Sequence, residues 1–309
     1  MQHAAPVELV LPRDDAPHFN APVEWWYWHG HLRAPDERGY GFHLAFFRLF
    51  ELGRPRCVVH HALLDVGAGR LRQHHVTGRR GAPWVTDRFL LAMPPFHADG
   101  GAGVDELEME CPGAALRLVL RETRPPVLHH GTGYVDYEVG GNTWYYSRTR
   151  MTTEGVLSLD GAELPVQGTA WFDHQWGRLA PQMRAGWDWF GIQLDDGTDI
   201  MLFFRHLGGG RSALGATLVA PDGTSRCLDG HDVRLTARDS WCSPRTGARY
   251  AMGWRLQVDG LTLEIEPLCR EQEIDAGFTR YWEGAATVHG DRTGRAYVEL
   301  VGESLLSAG

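Results

Sequence analysis

Short runs in which apolar and polar side chains alternate fill almost the whole chain, and each run stops at a cluster of Gly, Pro, Asp or Ser. The first runs cover residues 24–32, 40–50, 56–65 and 71–76, with APDERG and DVGAG among the pieces between them. A period of two marks a half-buried strand, whereas an amphipathic helix needs apolar residues every three to four positions. No stretch of twelve residues sustains the helical period. The pattern resumes at 106–110, 115–121, 143–150, 155–159 and 163–170, then from 186–194 through to 295–301, with several Asp-Gly turns of the kind that close hairpins. The segment PWVTDRFLLAMPPFHADGGAGVDE reads as loop around Pro94 and Pro95. The expected class is all-β, with antiparallel strands folded into a sandwich or barrels.

At 309 residues the chain has room for two domains, and its strand-rich halves meet near residues 165–180. A formal charge of −9 argues against a nucleic-acid partner, which requires a basic face. All thirty basic residues are arginine, so Schiff-base lysine chemistry and a lysine-bearing phosphate loop are excluded. The five cysteines are odd in number and widely spaced, without a C-x-x-C pair, and read as reduced thiols. No apolar run reaches the length of a transmembrane helix, and the N-terminus lacks the features of a signal peptide. A cytoplasmic location is expected, or a periplasmic or secreted one if a leader has been removed.

The residues with chemical potential concentrate between Gly168 and Leu194, where GTAWFDHQWG and GWDWFGIQL surround Asp173, His174 and Asp188 with indoles. Strand alternation puts His174 on one face with Phe172 and Trp176, and Asp173 on the other with Trp171 and Gln175. In PVEWWYWHGHL, Glu24, Trp26 and Trp28 share one face, and Trp25, Tyr27, His29 and His31 share the other. A carboxylate among indoles needs a partner, and Arg48, Arg205 or backbone amides could supply it to Glu24. Histidines at 29 and 31 and the adjacent pairs 60–61, 74–75 and 129–130 invite a metal reading. Neighbours on a strand point apart, so each pair offers at most one ligand, and no metal centre is expected. Ser147 has no histidine beside it in sequence and no G-x-S-x-G context, though a triad assembled in space stays open.

EWWYWHGHL, HLAFFRLF, HHALLD, WYYSRTRM, the GTAWFDHQWG block, GWDWFGIQLDDGTDIMLF and YWEGAATVHG together resemble the AttH-like, lipocalin-like family, which is related to carotenoid 1,2-hydratases (hydroxyneurosporene synthases). The resemblance runs from about Val23 to Glu303. It implies two consecutive lipocalin-like antiparallel β-barrel domains, at 1–177 and 178–309, a hydrophobic pocket near their junction and no organic cofactor. In the hydratases an acid protonates a double bond and water captures the cation. Trp187 and Trp189 match the family's W-x-W, whereas Met201, Phe203 and Phe204 stand where the hydratases carry a Tyr and an Asp. The resulting expectation is a cofactor-independent hydratase or isomerase acting on a polyene or terpenoid-like ligand. His174, helped by Asp173, would be the proton donor and Glu24 a second acid. Trp26, Trp28, Tyr146, Trp171, Trp176, Trp187 and Trp189 would form the ligand wall. A non-catalytic carrier of a hydrophobic molecule and an ester hydrolase using Ser147 are the alternatives.

Overall fold

The computed structural model describes residues 8–51, 54–79, 85–179, 186–207, 210–275 and 280–302. Its first sheet contains β1 (Val23–Arg33), β2 (Gly39–Glu51), β3 (Arg54–Asp65), β4 (Arg70–Gly78), β5 (Phe89–Met93), β6 (Phe96–Gly101), β7 (Val104–Cys111), β8 (Ala114–Glu122), β9 (Val127–Leu128), β10 (Tyr134–Asp136), β11 (Gly141–Leu159) and β12 (Ala162–Leu179). The second contains β13 (Trp187–Leu194), β14 (Asp199–Leu207), β15 (Gly210–Val219), β16 (Ser225–Leu228), β17 (Val233–Cys242), β18 (Arg249–Val258), β19 (Leu261–Pro267), β20 (Glu273–Asp275), β21 (Arg280–Gly290) and β22 (Gly294–Val301). Both are antiparallel and barrel-like, one nearly closed and the other a half-barrel, so the expected pair of lipocalin-like barrels is present. The region read as loop around Pro94 instead forms the β5–β6 hairpin, because Met93 and Phe96 pair directly across the two prolines.

Strand parity builds three main cores from two sheets. Along β1, Trp26 and Trp28 enter the first barrel, and along β12 Phe172 and Trp176 join them. Phe190 and Ile192 of β13, with Trp254 and Trp282, fill the second barrel. The opposite faces of the same central strands meet each other, so Tyr27, Tyr145, Trp171, Trp189, Met201 and Tyr297 form a third apolar layer in the seam. A bulge between Arg148 and Met151 switches parity along β11. Before it the even residue Tyr146 points into the first barrel, and after it the odd residues Met151, Leu157 and Leu159 do so.

β2 presents Gly41, His43, Ala45 and Phe47 to the seam. A Cβ placed on Gly41 would lie 2.9 Å from the Cβ of Ala285 in β21, so this glycine sets how closely the sheets approach. Gly41→Val is expected to destabilise the protein by about 1–3 kcal/mol through overpacking, read as a lower thermal midpoint.

Candidate functional site

Register lines up two rows of side chains across the seam. On the first sheet Ser147, Asp173, Tyr27, Ala45 and His60 stand side by side across five strands. On the second, Phe203, Trp189, Glu299 and Glu283 do the same across four. The rows touch: the Tyr27 and Trp189 rings meet edge to face at 5.9 Å, and the Trp189 indole donates to the Tyr145 hydroxyl at 3.1 Å.

Asp173 is the focus of the first row. Its carboxylate accepts from the Tyr145 hydroxyl at 2.7 Å, the Ser147 hydroxyl at 2.5 Å and the Trp171 indole at 2.6 Å. Burial pushes its pKa up to about 6 against the pull of those three donors. No arginine is paired with it among the described residues. Glu299, facing it from β22, is raised to about 7 by burial, with the Trp187 indole opposing the shift and the Asp173 charge adding to it.

A hydrogen-bonded chain leads away from this carboxylate. Nε2 of His129 lies 2.7 Å from the Ser147 hydroxyl, and its Nδ1 lies 2.9 Å from the hydroxyl of Thr217 in the second sheet. An ionised Asp173 only accepts, so Ser147 must donate to it, His129 must donate to Ser147, and Thr217 must donate to His129. Burial holds His129 neutral, with its pKa lowered to about 3. In a nucleophilic triad the carboxylate orients the histidine and the histidine takes the serine proton, which is the reverse of this order. His129, Tyr145, Met201, Phe203 and Thr217 line a cavity of about 70 Å³ at this end of the seam. That space holds a few waters or a small substituent, and a polyene would require the sheets to part. A larger cavity of about 690 Å³ is lined mainly by polar and charged residues, Arg33, Arg121, Arg150 and Arg295 among them.

Glu24 and His174 lie on the other side of the sheet, inside the first barrel. Glu24 accepts from His174 Nε2 at 3.0 Å, from Arg48 at 3.0 and 2.6 Å, and from both the backbone and ring nitrogens of His18. Burial pushes the Glu24 pKa up, but bonds from His174 and His18 outweigh it and hold the carboxyl at about 2. The N-terminal segment seals this network: His18 stacks on Trp176 at 3.8 Å, and Asp15 accepts from Tyr146 and, at 2.7 Å, from Arg148. Arg205, the other arginine considered for Glu24, donates to the Tyr137 carbonyl.

The sequence-selected residues thus divide by face. Glu24, Trp26, Trp28, Tyr146, His174 and Trp176 are in the first barrel, and Asp173, Trp171, Trp187 and Trp189 are in the seam. Asp173 does not reach His174; the carboxylate beside that imidazole is Glu24. Asp188 turns into the second barrel, 3.0 Å from His206. The sequence offered His129 only as one of a histidine pair with a metal reading, and it did not single out Tyr145 or Glu299. Tyr145 could have been found by parity, since it must share a face with Ser147, but no local pattern couples His129 or Glu299 to Asp173.

Comparison with known proteins agrees with this architecture. The model of the AttH-like family matches residues 2–303. A Nitrosomonas europaea protein described as an AttH is 29% identical, with a TM-score of 0.88 over 96% of this chain and 98% of its own. Kievitone hydratase from Nectria haematococca shares the fold at 15% identity, with a TM-score of 0.80 over 96% of this chain and 94% of that one. The protein CghA, solved with Sch210972, shares it at 14% identity and a TM-score of 0.57, over 92% and 89% of the two chains. No curated protein matches the sequence. With a family match over nearly its full length and the same two-barrel architecture, this chain belongs to the AttH-like family.

Proposed function

We propose that the protein carries out acid-assisted hydration or isomerisation of a double bond in a hydrophobic ligand admitted to the seam, with Asp173 as the proton donor. The observation that carries this reading is a buried carboxyl, held by Tyr145, Ser147 and Trp171 and paired with no arginine among the described residues, against an indole wall. The likeness in fold to a hydratase is in keeping with it.

In this reading the Asp173 proton passes to one alkene carbon and leaves a cation on the other, which the faces of Trp171 and Trp189 stabilise. Water then bonds to the cationic carbon and returns a proton to Asp173. If Asp173 instead removes a proton from a neighbouring carbon, the double bond has moved and the product is an isomer. The Thr217–His129–Ser147 chain gives Asp173 a route for exchanging its proton with the small cavity. His174 and Glu24 take no part in these steps, because their bonds are satisfied within the first barrel.

The pH profile tests this assignment. Asp173 is a donor only while protonated, so kcat/KM on an isoprenoid alkene should be flat below about pH 6 and fall about tenfold per pH unit above it. The groups facing Asp173 are Tyr145 and Ser147 from β11, Tyr27 from β1, His129, and Glu299 from β22. His129 stays neutral through this range, and ionisation of Glu299 pushes Asp173 further up, so neither moves the fall to lower pH. A profile that rises through pH 6 would instead make Asp173 a base and contradict the proposal.

A further inference from the structure

We propose that His43, His60 and Glu283 form a binding site for a divalent first-row transition-metal ion, with zinc as the reference case, which ties the two sheets together deep in the seam. The proposal is separate from the Asp173 chemistry and holds or fails without it.

The geometry is that of a ligand set. One donor atom from each residue lies within 4.8 Å of the other two, and His43 Nδ1 is 3.5 Å from Glu283 Oε1. Two ligands at about 2.1 Å on a tetrahedral centre stand about 3.4 Å apart, so that pair is already at coordination spacing. All three side chains are at most 2% exposed. They rise from β2, β3 and β21, each paired on both sides, so rigid strands rather than loops carry them.

Their hydrogen bonding makes the stronger argument. Both ring nitrogens of His43 and Oε1 of Glu283 are buried without a hydrogen-bond partner. Buried polar atoms are nearly always satisfied, so each orphan calls for a partner. Of the two His43 nitrogens, which point apart, Nδ1 faces the unpartnered Glu283 Oε1 at 3.5 Å, and a centre that accepts electron pairs fits between them. No arginine is paired with Glu283 among the described residues. Its cross-strand neighbour is Glu299, so a divalent ion would sit beside two carboxyl groups that no arginine neutralises among the described residues. The Tyr281 hydroxyl lies 2.9 and 2.8 Å from the two ring nitrogens of His60, beside this group.

A second group with metal-compatible spacing, His18, Glu24 and His174, is a poorer candidate. Arg48 already neutralises Glu24, and the carboxylate is filled by bonds from five nitrogen atoms of His18, Arg48 and His174. The sequence argument that each histidine pair yields at most one ligand holds here, since His61 turns away to the His43 carbonyl. What it did not supply was a third ligand 223 residues away, which only the docking of the two sheets provides (283 minus 60).

The test uses the full chain, stripped with a chelator and titrated calorimetrically with Zn²⁺ and by visible absorption with Co²⁺. One equivalent should bind, Co²⁺ should give the intense absorption of a low-coordinate site, and Zn²⁺ should raise the thermal midpoint. Glu283→Gln, which keeps the side chain's shape, and His43→Ala should each weaken binding by at least about tenfold and abolish the thermal shift. His18→Ala should leave both unchanged. Absence of stoichiometric binding by the unmodified protein would overturn the proposal. So would binding that persists in Glu283→Gln and His43→Ala but is lost in His18→Ala.

Discussion

Replacing Glu24 with Gln should lower stability by about 3–5 kcal/mol, the range found when one member of a buried ion pair is removed. Arg48 is only 4% exposed and donates twice to this carboxylate, so the substitution leaves a guanidinium in the barrel facing an amide. The one remaining amide oxygen cannot serve Arg48, His18 and His174 together, which loosens the contacts that fasten the N-terminal segment over Trp176. At about 2–4 °C per kcal/mol, the thermal midpoint should fall by roughly 10 °C. The pH dependence identifies the cause. The folded carboxyl titrates at about 2 against 4.5 for the free side chain, so its contribution is complete above pH 4.5 and is lost as the pH falls towards 2. That shift corresponds to about 3 kcal/mol. The gap between the unmodified protein and Glu24→Gln should therefore close over that window in acid denaturation scans. A gap that stays constant would place the defect in packing rather than charge.

Asp173→Asn should leave the fold near its normal stability and lower turnover by about 10²–10⁴-fold, the usual scale of a lost general acid. Asn keeps the shape and can still accept from Tyr145, Ser147 or Trp171 through its oxygen, but it has no acidic proton to give. The change also breaks the Thr217–His129–Ser147 chain at its end, since the amide cannot pass a proton on. Ligand affinity should change far less than kcat, because Trp171, Trp187 and Trp189 remain. The reverse split, weaker binding with unchanged kcat, would make Asp173 a ligand anchor. Circular dichroism and a ligand-free melting curve separate both outcomes from misfolding.

Much of this architecture is legible in the sequence because period-two alternation leaves little choice. The parity of PVEWWYWHGHL assigns Glu24, Trp26 and Trp28 to one layer and Tyr27 and His29 to another, and that is how they lie. The same rule separates Asp173 from His174 even though they are adjacent. It also brings Glu24 within reach of Arg48, its direct cross-strand partner. What the sequence does not contain is the register between sheets. His129 reaches Ser147 from a short 3-10 turn, and Glu299 faces Asp173 only after the second sheet has docked. The bulge at 148–151 reverses which residues of β11 face inward, and no side chain announces it. Tryptophan count was an ambiguous guide for a related reason: Trp26, Trp28 and Trp176 are barrel filling, while Trp171, Trp187 and Trp189 line the seam, and composition alone cannot separate them.

The central claim is that the seam, through Asp173, adds water across or moves a double bond. Incubating the protein with a panel of isoprenoid alkenes and polyenes in oxygen-18 water tests it most directly, with mass spectrometry of the products for the unmodified chain and for Asp173→Asn. The account expects a product heavier by one labelled water, or an unlabelled isomer of the substrate, from the unmodified chain, and neither from folded Asp173→Asn. Labelled product formed equally well by Asp173→Asn, or ligand bound by the unmodified chain and returned unchanged at every pH, would contradict it.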